Sequence, residues 1–423
     1  MKLVLLTPQL PYPPQQGTTL RNFNIIKHLA PHHAITLVSF GTAEELANAE
    51  PLRTLCQRIE IAPYPTRSLL QRAWTTLTSP LPDMALRLKS DAMHALVERV
   101  LGEEQFDIVQ IEGIEMARYA INLKSQNSKL KIVFDDHNAE YVLQRTAFQA
   151  DVRHPSRWHA ALYSLIQWKK LERYERTVCR YAHHVVACSQ TDAQLLSTLT
   201  PTLTLTPTLT LTPTLTLPSS LSIIPNGVDT DYFVPSNAVC AKPNAEFGMV
   251  FVGKMDFRPN IDAMTWFVED ILPRIRTEIP HAHLVIVGQK PAPRIQALAQ
   301  KPGVAITGWV PDTRPFVADA AVYVVPLRMG SGTRLKILEA MAMGKAIVST
   351  TRGAEGIEYT PNQHLIIADT PETFARAVVE LLRDPQRCRE LGRHARALVE
   401  SKYDWRAIIP EFDQVYALPK TTP

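Results

Sequence analysis

A chain of 423 residues, 45% apolar and 20% charged, has an ordinary globular composition, with room for two domains of roughly 150–200 residues. Its 45 basic and 41 acidic side chains leave a formal charge of +4, without the concentrated basic patch of a nucleic-acid binder. Five scattered cysteines with no C-x-x-C suit the reduced thiols of a cytoplasmic protein better than a disulfide framework or a zinc site.

The first segment, KLVLLTP (2–8), reads as a buried strand. Its apolar run is shorter than the roughly 7–15 residues a signal peptide needs. A helix from Thr19 to Leu29 and a strand at 34–40 follow, then strands at 106–112, 130–136 and 183–189. A long polar helix over 153–181 precedes the last of these. Apolar strands alternating with helices predict a parallel sheet covered on both faces.

The pattern then restarts. Strands are expected at 248–254, 283–289, 304–310, 321–327 and 346–350, with helices at 261–277, 292–300 and 333–343 between them. Two tandem β/α sheets imply two Rossmann-like domains facing a cleft, with ligands beyond the carboxyl ends of the strands. No G-x-G-x-x-G follows the first strand, which argues against a dehydrogenase.

The stretch VVPLRMGSGTRLKILEAMAMGKAIVST (324–350) carries the most chemistry. A strand gives way to a glycine-rich loop, Gly330–Ser331–Gly332, and a helix that Gly344 terminates. Arg334 and Lys336 place two cations at the positive end of that helix, where the dipole disfavours them. Such an end, with glycines for close approach, reads as a phosphate site. The plainer alternative has both side chains reaching into water. Glu339, one turn on, is placed either to pair with Lys336 or to reach a ligand hydroxyl.

Four segments carry a family resemblance: IPNGVDTDYF (224–233), FVGKMDFRPNIDAM (251–264), VAITGWVPD (304–312) and GSGTRLKILEAMAMGKAIVSTTRGAEG (330–356). In this order and spacing they resemble the donor domain of the retaining glycosyltransferases of family 4. The resemblance extends more weakly over the amino-terminal half. It implies the GT-B fold, with an acceptor domain at 1–226, a nucleotide-sugar donor domain at 227–403, and a terminal helix at 404–423 packing back on the first domain.

By position, the resemblance makes Glu339 the residue that holds the donor ribose. Gly253 and Lys254 face the diphosphate, with Lys254 where the family has arginine. The family's partner lysine falls at Arg258 to Asn260, where there is none, so Arg334 and Lys336 are expected to supply the charge. Gly308, Trp309 and Val310 would border the base, and the loop holding Glu355 would face sugar and phosphate. Where the family has another glutamate, eight positions before Glu339, this chain has Ser331, which lacks a carboxylate's paired acceptors.

In the first half, Gly17 matches the family's glycine loop beside diphosphate and acceptor, and also reads as an ordinary turn. Arg21, one turn on, would face cleft or solvent. His137 stands at the end of the strand 130–136, where related enzymes touch the donor sugar, and also reads as an ordinary loop histidine. Lys254, Arg334, Lys336 and His137 form the expected catalytic set.

The expected activity is sugar transfer from a nucleotide-diphosphate sugar, with retention, to a saccharide or lipid-linked acceptor of polysaccharide or cell-envelope synthesis. No cofactor or metal is expected, and the Asp229–Thr230–Asp231 triplet reads as loop rather than metal site. A cytoplasmic location follows, extending to the inner membrane face. Alternatives are a non-catalytic nucleotide-sugar-binding protein and an epimerase or sugar-phosphate synthase on the same fold. Basic residues among Trp158, Tyr163 and Trp168 on the 153–181 helix could rest on a bilayer, but Glu172 and Glu175 favour a solvated helix. Finally, Thr200–Pro218 repeats TPTLTL. Its prolines should keep it out of a sheet interior, as an extended insertion in a surface connection.

Overall fold

A computed structural model describes residues 1–121, 123, 130–200, 204–205, 220–235, 247–330 and 332–419. The chain forms two units, Met1–Pro225 with Ile409–Pro423, and Asn226–Ile408.

The first unit contains eight parallel strands: β1 (Lys2–Thr7), β2 (Ala34–Phe40), β3 (Arg58–Ala62), β4 (Ile108–Glu112), β5 (Lys131–Asp136), β6 (His184–Ala187), β7 (Thr204–Leu205) and β8 (Ser220–Ile223). Their spatial order is β3-β2-β1-β4-β5-β6-β8-β7. Beyond its first residue β1 is buried throughout, and β4 and β5 are buried at every position, which explains their continuous apolar runs. The sheet reverses direction of growth between β1 and β4, where Leu3 pairs with Ile108 and Leu6 with Ile111.

The second unit repeats the plan with β9 (Gly248–Val252), β10 (His283–Val287), β11 (Val304–Gly308), β12 (Val322–Val325), β13 (Ala346–Ser349) and β14 (Ile366–Ile367), ordered β11-β10-β9-β12-β13-β14. Its reversal lies between β9 and β12. Both sheets are thus doubly wound, and each has a crevice at its own reversal.

Several elements depart from the sequence expectation. Strand β3 (RIEIA) alternates rather than running apolar, because it is the half-buried edge of its sheet. The expected helix over 261–277 is an α-helix at Arg258–Trp266 that widens into a π-turn at Phe267–Ile271 before Leu272–Glu278. Pro273 lacks an N–H at this point, so the regular ladder cannot continue. Thr204 and Leu205 of the repeat enter the sheet, pairing with Ser220 and Leu221. They lie between Pro201 and Pro207 and form an edge, the place where proline-flanked strands are tolerated. Positions 201–203 and 206–218 of the repeat lie outside the described residues.

The helix Trp405–Ala417 carries Ile409 onward into the first unit. There Phe412 and Tyr416 are buried, the Tyr416 hydroxyl bonds Gln110, and the buried Lys131 donates to the carbonyls of Val415 and Leu418.

Candidate functional site

In the second unit the chain leaves β9 at Gly253 and leaves β12 toward Gly330, so both loops open at the sheet reversal. The helix Leu335–Ala342 begins there with Arg334 at its N-cap, no side-chain cap and no acidic residue in its first turn. Thr333 Oγ1, just before it, is buried without a hydrogen-bond partner among the described residues. The positive end of the helix is therefore left uncompensated by the chain's own side chains.

Lys336 folds back over this end. Its Nζ donates to Asn260 Oδ1 at 3.1 Å and lies 4.1 Å from the centre of the Phe251 ring. Asn260 Nδ2 in turn donates to the Lys254 carbonyl at 2.8 Å. A Cβ on Gly253 would stand 2.8 Å from Lys336 Nζ, so the absence of a side chain there admits the ammonium. Burial, then the nearby Arg334 charge, lowers the Lys336 pKa to about 7, with Glu339 opposing. Glu339 is pushed up to about 7 by burial, against the pull of Lys336. No ion pair joins Lys336 and Glu339 among the described residues. Of the two roles the sequence left open for Glu339, the direct pairing is not the one adopted.

Arg334 packs against Gly330, whose φ of +99° is open to glycine, and a Cβ there would meet the guanidinium at 3.1 Å. Burial lowers the Arg334 pKa, with the Glu355 charge opposing. Glu355 itself pairs with Arg352 at 3.0 Å. Gly308 has φ +71° with open space where a Cβ would stand; Trp309 beside it is exposed, and Val310 is half-buried. Lys254 and Arg258 are exposed at the same sheet end, and Gly332 has φ +82°. Ser331 lies outside the described residues.

The first unit holds a pocket of about 310 Å³ at its own sheet reversal, lined by residues at the carboxyl ends of β1 (Pro8, Gln9), β4 (Gly113, Glu115) and β5 (Asp136, His137). His137 Nε2 lies 3.0 Å from the buried Glu112 Oε2. Asn22, with its amide oriented to donate, reaches the same oxygen at 2.7 Å. Burial, then Asp135, pushes the Glu112 carboxyl up, and His137 and Arg21 oppose this. Gly17 opens the helix Gly17–Leu29 on the rim and is exposed.

Arg21 is a correction. It faces neither ligand nor solvent: it is buried and gives Asp135 two bonds, Nε–Oδ2 at 2.8 Å and Nη2–Oδ1 at 2.9 Å. It also donates to the carbonyls of Ile224 and Pro225 at 3.1 Å and stacks over Phe412. Glu112, Asp135 and His137 present oxygen and nitrogen atoms within 4.8 Å of one another, a spacing that could hold a metal ion. The cation placed on Asp135 is the Arg21 guanidinium, which occupies both carboxylate oxygens.

The Asp229–Thr230–Asp231 triplet binds its own chain. Asp229 accepts from the N–H groups of Asp231 and Tyr232, Thr230 bonds Asp404, and Asp231 pairs with Arg406 at 3.1 Å.

Sequence reasoning missed Asn260 and Glu112. An asparagine inside a helix and a glutamate ending an apolar strand are ordinary; only the chain crossings from Lys336 and His137 give them a role.

The family model described as Glycosyl transferases group 1 matches residues 246–384. A phosphatidyl-myo-inositol mannosyltransferase of Mycobacterium tuberculosis is 28% identical over 204 residues, 46% of this chain and 53% of that protein. A GDP-mannose-dependent alpha-(1-6)-phosphatidylinositol monomannoside mannosyltransferase from the same species is 30% identical over 210 residues, 44% and 53% of the two chains. The chain spans about half the length of the curated relatives it matches. Among solved structures, the sucrose-phosphate synthase of Thermosynechococcus elongatus superposes over 98% of both chains with a TM-score of 0.68 at 17% identity. HepE of Anabaena, solved with UDP, covers 98% of this chain and 99% of its own with a TM-score of 0.63 at 14% identity. At that identity the likeness speaks to fold alone. Residues 246–384 thus match a group 1 glycosyl transferase domain, and the chain carries it on the two-unit GT-B architecture.

Proposed function

We propose that the protein is a retaining glycosyltransferase of family 4 that moves a sugar from a nucleotide-diphosphate sugar to a saccharide or lipid-linked acceptor in glycan synthesis at the cell envelope. The observation that carries this reading is Lys336, pinned by Asn260 over Gly253 at the uncapped start of the 335–342 helix. The leaving group is a diphosphate, so the charge to stabilise develops on phosphate oxygens. A cation and helix N–H groups already fixed in place do this without reorganisation. Lys336, Arg334 and Lys254 supply the cations, and Glu339 is left to accept from donor hydroxyls. The backbone at Gly308–Val310 borders the base, and the Glu355 loop borders sugar and phosphate.

The first-unit pocket takes the acceptor, with His137, steadied by Glu112, as the contact to the transferred sugar. GDP-mannose, the donor in the name of one relative, makes a GDP sugar the first donor to try. The charge set needs no metal, so a chelator is expected to leave turnover unchanged. The protein would work in the cytoplasm, at the inner face of the membrane; among the described residues no helix is long and apolar enough to cross one.

Two measurements test the reading. A ligand at 100 times its dissociation constant stabilises by about 2.7 kcal/mol, so UDP, GDP or one of their sugars should raise the melting temperature visibly. No shift with any of them would remove the donor site. Lys336→Ala and Arg334→Ala should each lower turnover by about tenfold or more, the loss expected for an oxyanion-type donor. Wild-type rates in either variant would overturn the assignment.

A further inference from the structure

The helix Leu69–Thr78 is the anomaly of the molecule: none of its residues is buried, yet it is firmly held. A capping box closes its start, where Ser68 and Gln71 bond each other's backbone N–H groups. Its polar side is bound to the neighbouring helix Trp158–Tyr181. Lys170 Nζ donates to the Thr76 carbonyl at 2.6 Å, Arg72 donates to Tyr163 Oη at 3.2 Å, and Arg72 and Arg67 both bond Asp83. The apolar side faces outward. Leu69 is 81% exposed, Leu70 83%, Trp74 69% and Leu77 75%, and on the adjoining helix Trp158 is 62% and Leu162 60% exposed.

Charge selects what covers this face. Residues 61–82 and 152–171 contain no aspartate or glutamate, but they carry Arg67, Arg72, Arg153, Arg157, Lys169 and Lys170. The acids that touch this border are Asp83, bonded by Arg67 and Arg72, Asp151, paired with Arg157, and Glu172, paired with Lys169; three carboxylates against six cations leave it net basic. Tryptophan and leucines projecting from an exposed helix, within a net basic border, suit a flat anionic partner with an apolar interior.

We propose that this face lies on an anionic lipid bilayer, with Leu69, Leu70, Trp74 and Leu77 among the acyl chains and the basic border at the phosphates. The inference deepens the lipid-linked-acceptor reading and rests on it for its biological sense. It also moves the contact from the basic side of the 153–181 helix, set aside from sequence, to a short helix that periodicity did not pick out.

Sedimentation of the whole protein with vesicles tests it, and needs neither donor nor acceptor. The wild type should pellet with mixed phosphatidylcholine–phosphatidylglycerol vesicles, and less with phosphatidylcholine alone or at high salt. Leu70→Glu with Trp74→Glu should lower the bound fraction by about tenfold, with an unchanged melting curve. Leu69→Ser with Leu77→Ser gives the same reading should the first pair fail to fold. Wild-type binding in a folded variant overturns the proposal. So does a wild type that ignores anionic vesicles, or one that forms dimers which these substitutions split. Because turnover is not measured, failure here leaves the transferase reading standing, and inactivity of Lys336→Ala leaves the vesicle result standing.

Discussion

Lys336 does two things with one ammonium: it adds positive charge at the start of its own helix and waits where an anion would replace Asn260 as its main partner. Asn260→Ala removes the tether but keeps the charge. The lysine then samples other rotamers, and kcat/KM should fall by about tenfold, roughly the worth of one charge-assisted hydrogen bond. Stopped assays against Lys336→Ala would separate loss of aim from loss of charge. The pH dependence has a definite sign. Lys336 titrates near 7 in the folded protein against 10.5 ordinarily, so its cation is present below about 7. Affinity for nucleoside diphosphate should therefore weaken as pH rises through 7, and Lys336→Gln should flatten that dependence in a calorimetric titration. At this scale sequence was informative about charge and uninformative about contact. Arg334, Lys336 and Glu339 were legible because cations at a helix start break a rule. Arg21 was misread because the buried Asp135 that captures it lies 114 residues away.

The elements tell a similar story with different causes. Continuous apolar strands announced both parallel sheets, while β3 and β14 escaped notice because edge strands lack that signature. The close crossing at the β9 and β10 ends was also invisible. A Cβ on Gly288 would lie 1.7 Å from the Gly253 carbonyl oxygen, a contact no rotamer can relieve. Gly288→Ala should destabilise the second unit by more than about 3 kcal/mol and displace the loop that admits Lys336, as thermal melts and donor titration would show. By contrast, deletion of Pro201–Leu217 removes, among the described residues, the two edge pairings with β8. Loop closure depends weakly on length, so the melting temperature should move by no more than about 2–4 °C, with unchanged turnover.

On the scale of the molecule, the first unit stores a cluster of buried acids behind its pocket. Glu175 accepts the N–H groups of Glu140 and Tyr141, and Asp192 that of Ala139, so two carboxylates cap the helix Glu140–Asp151. Burial, then the neighbouring Glu175 charge, pushes the Asp136 carboxyl well above the usual carboxylate range. Burial raises Glu175 and Glu140 to about 7 from 4.5, so the folded state holds protons that the unfolded chain has lost. Their contribution to stability is complete below about 4.5 and is lost as pH rises through 7. Denaturant melts should show this decline, and Glu175→Gln should reduce it. No single-residue pattern announced the cluster, because its members come from a strand end and three helices.

The Arg21 guanidinium bonds the carbonyls of Ile224 and Pro225, where the chain leaves the first unit, and stacks on Phe412, just after it returns. In covalent terms the second unit is a cassette inserted into the first, and one buried cation fastens both splice points. Exchange of donor modules between relatives should therefore cut after Pro225 and before Ile409. Chimeras that carry a foreign tail would lose the seats of Phe412 and Tyr416 and the cap that Lys131 places on the final helix, and should express as insoluble protein. Those that keep the native tail should fold around whichever cassette they receive.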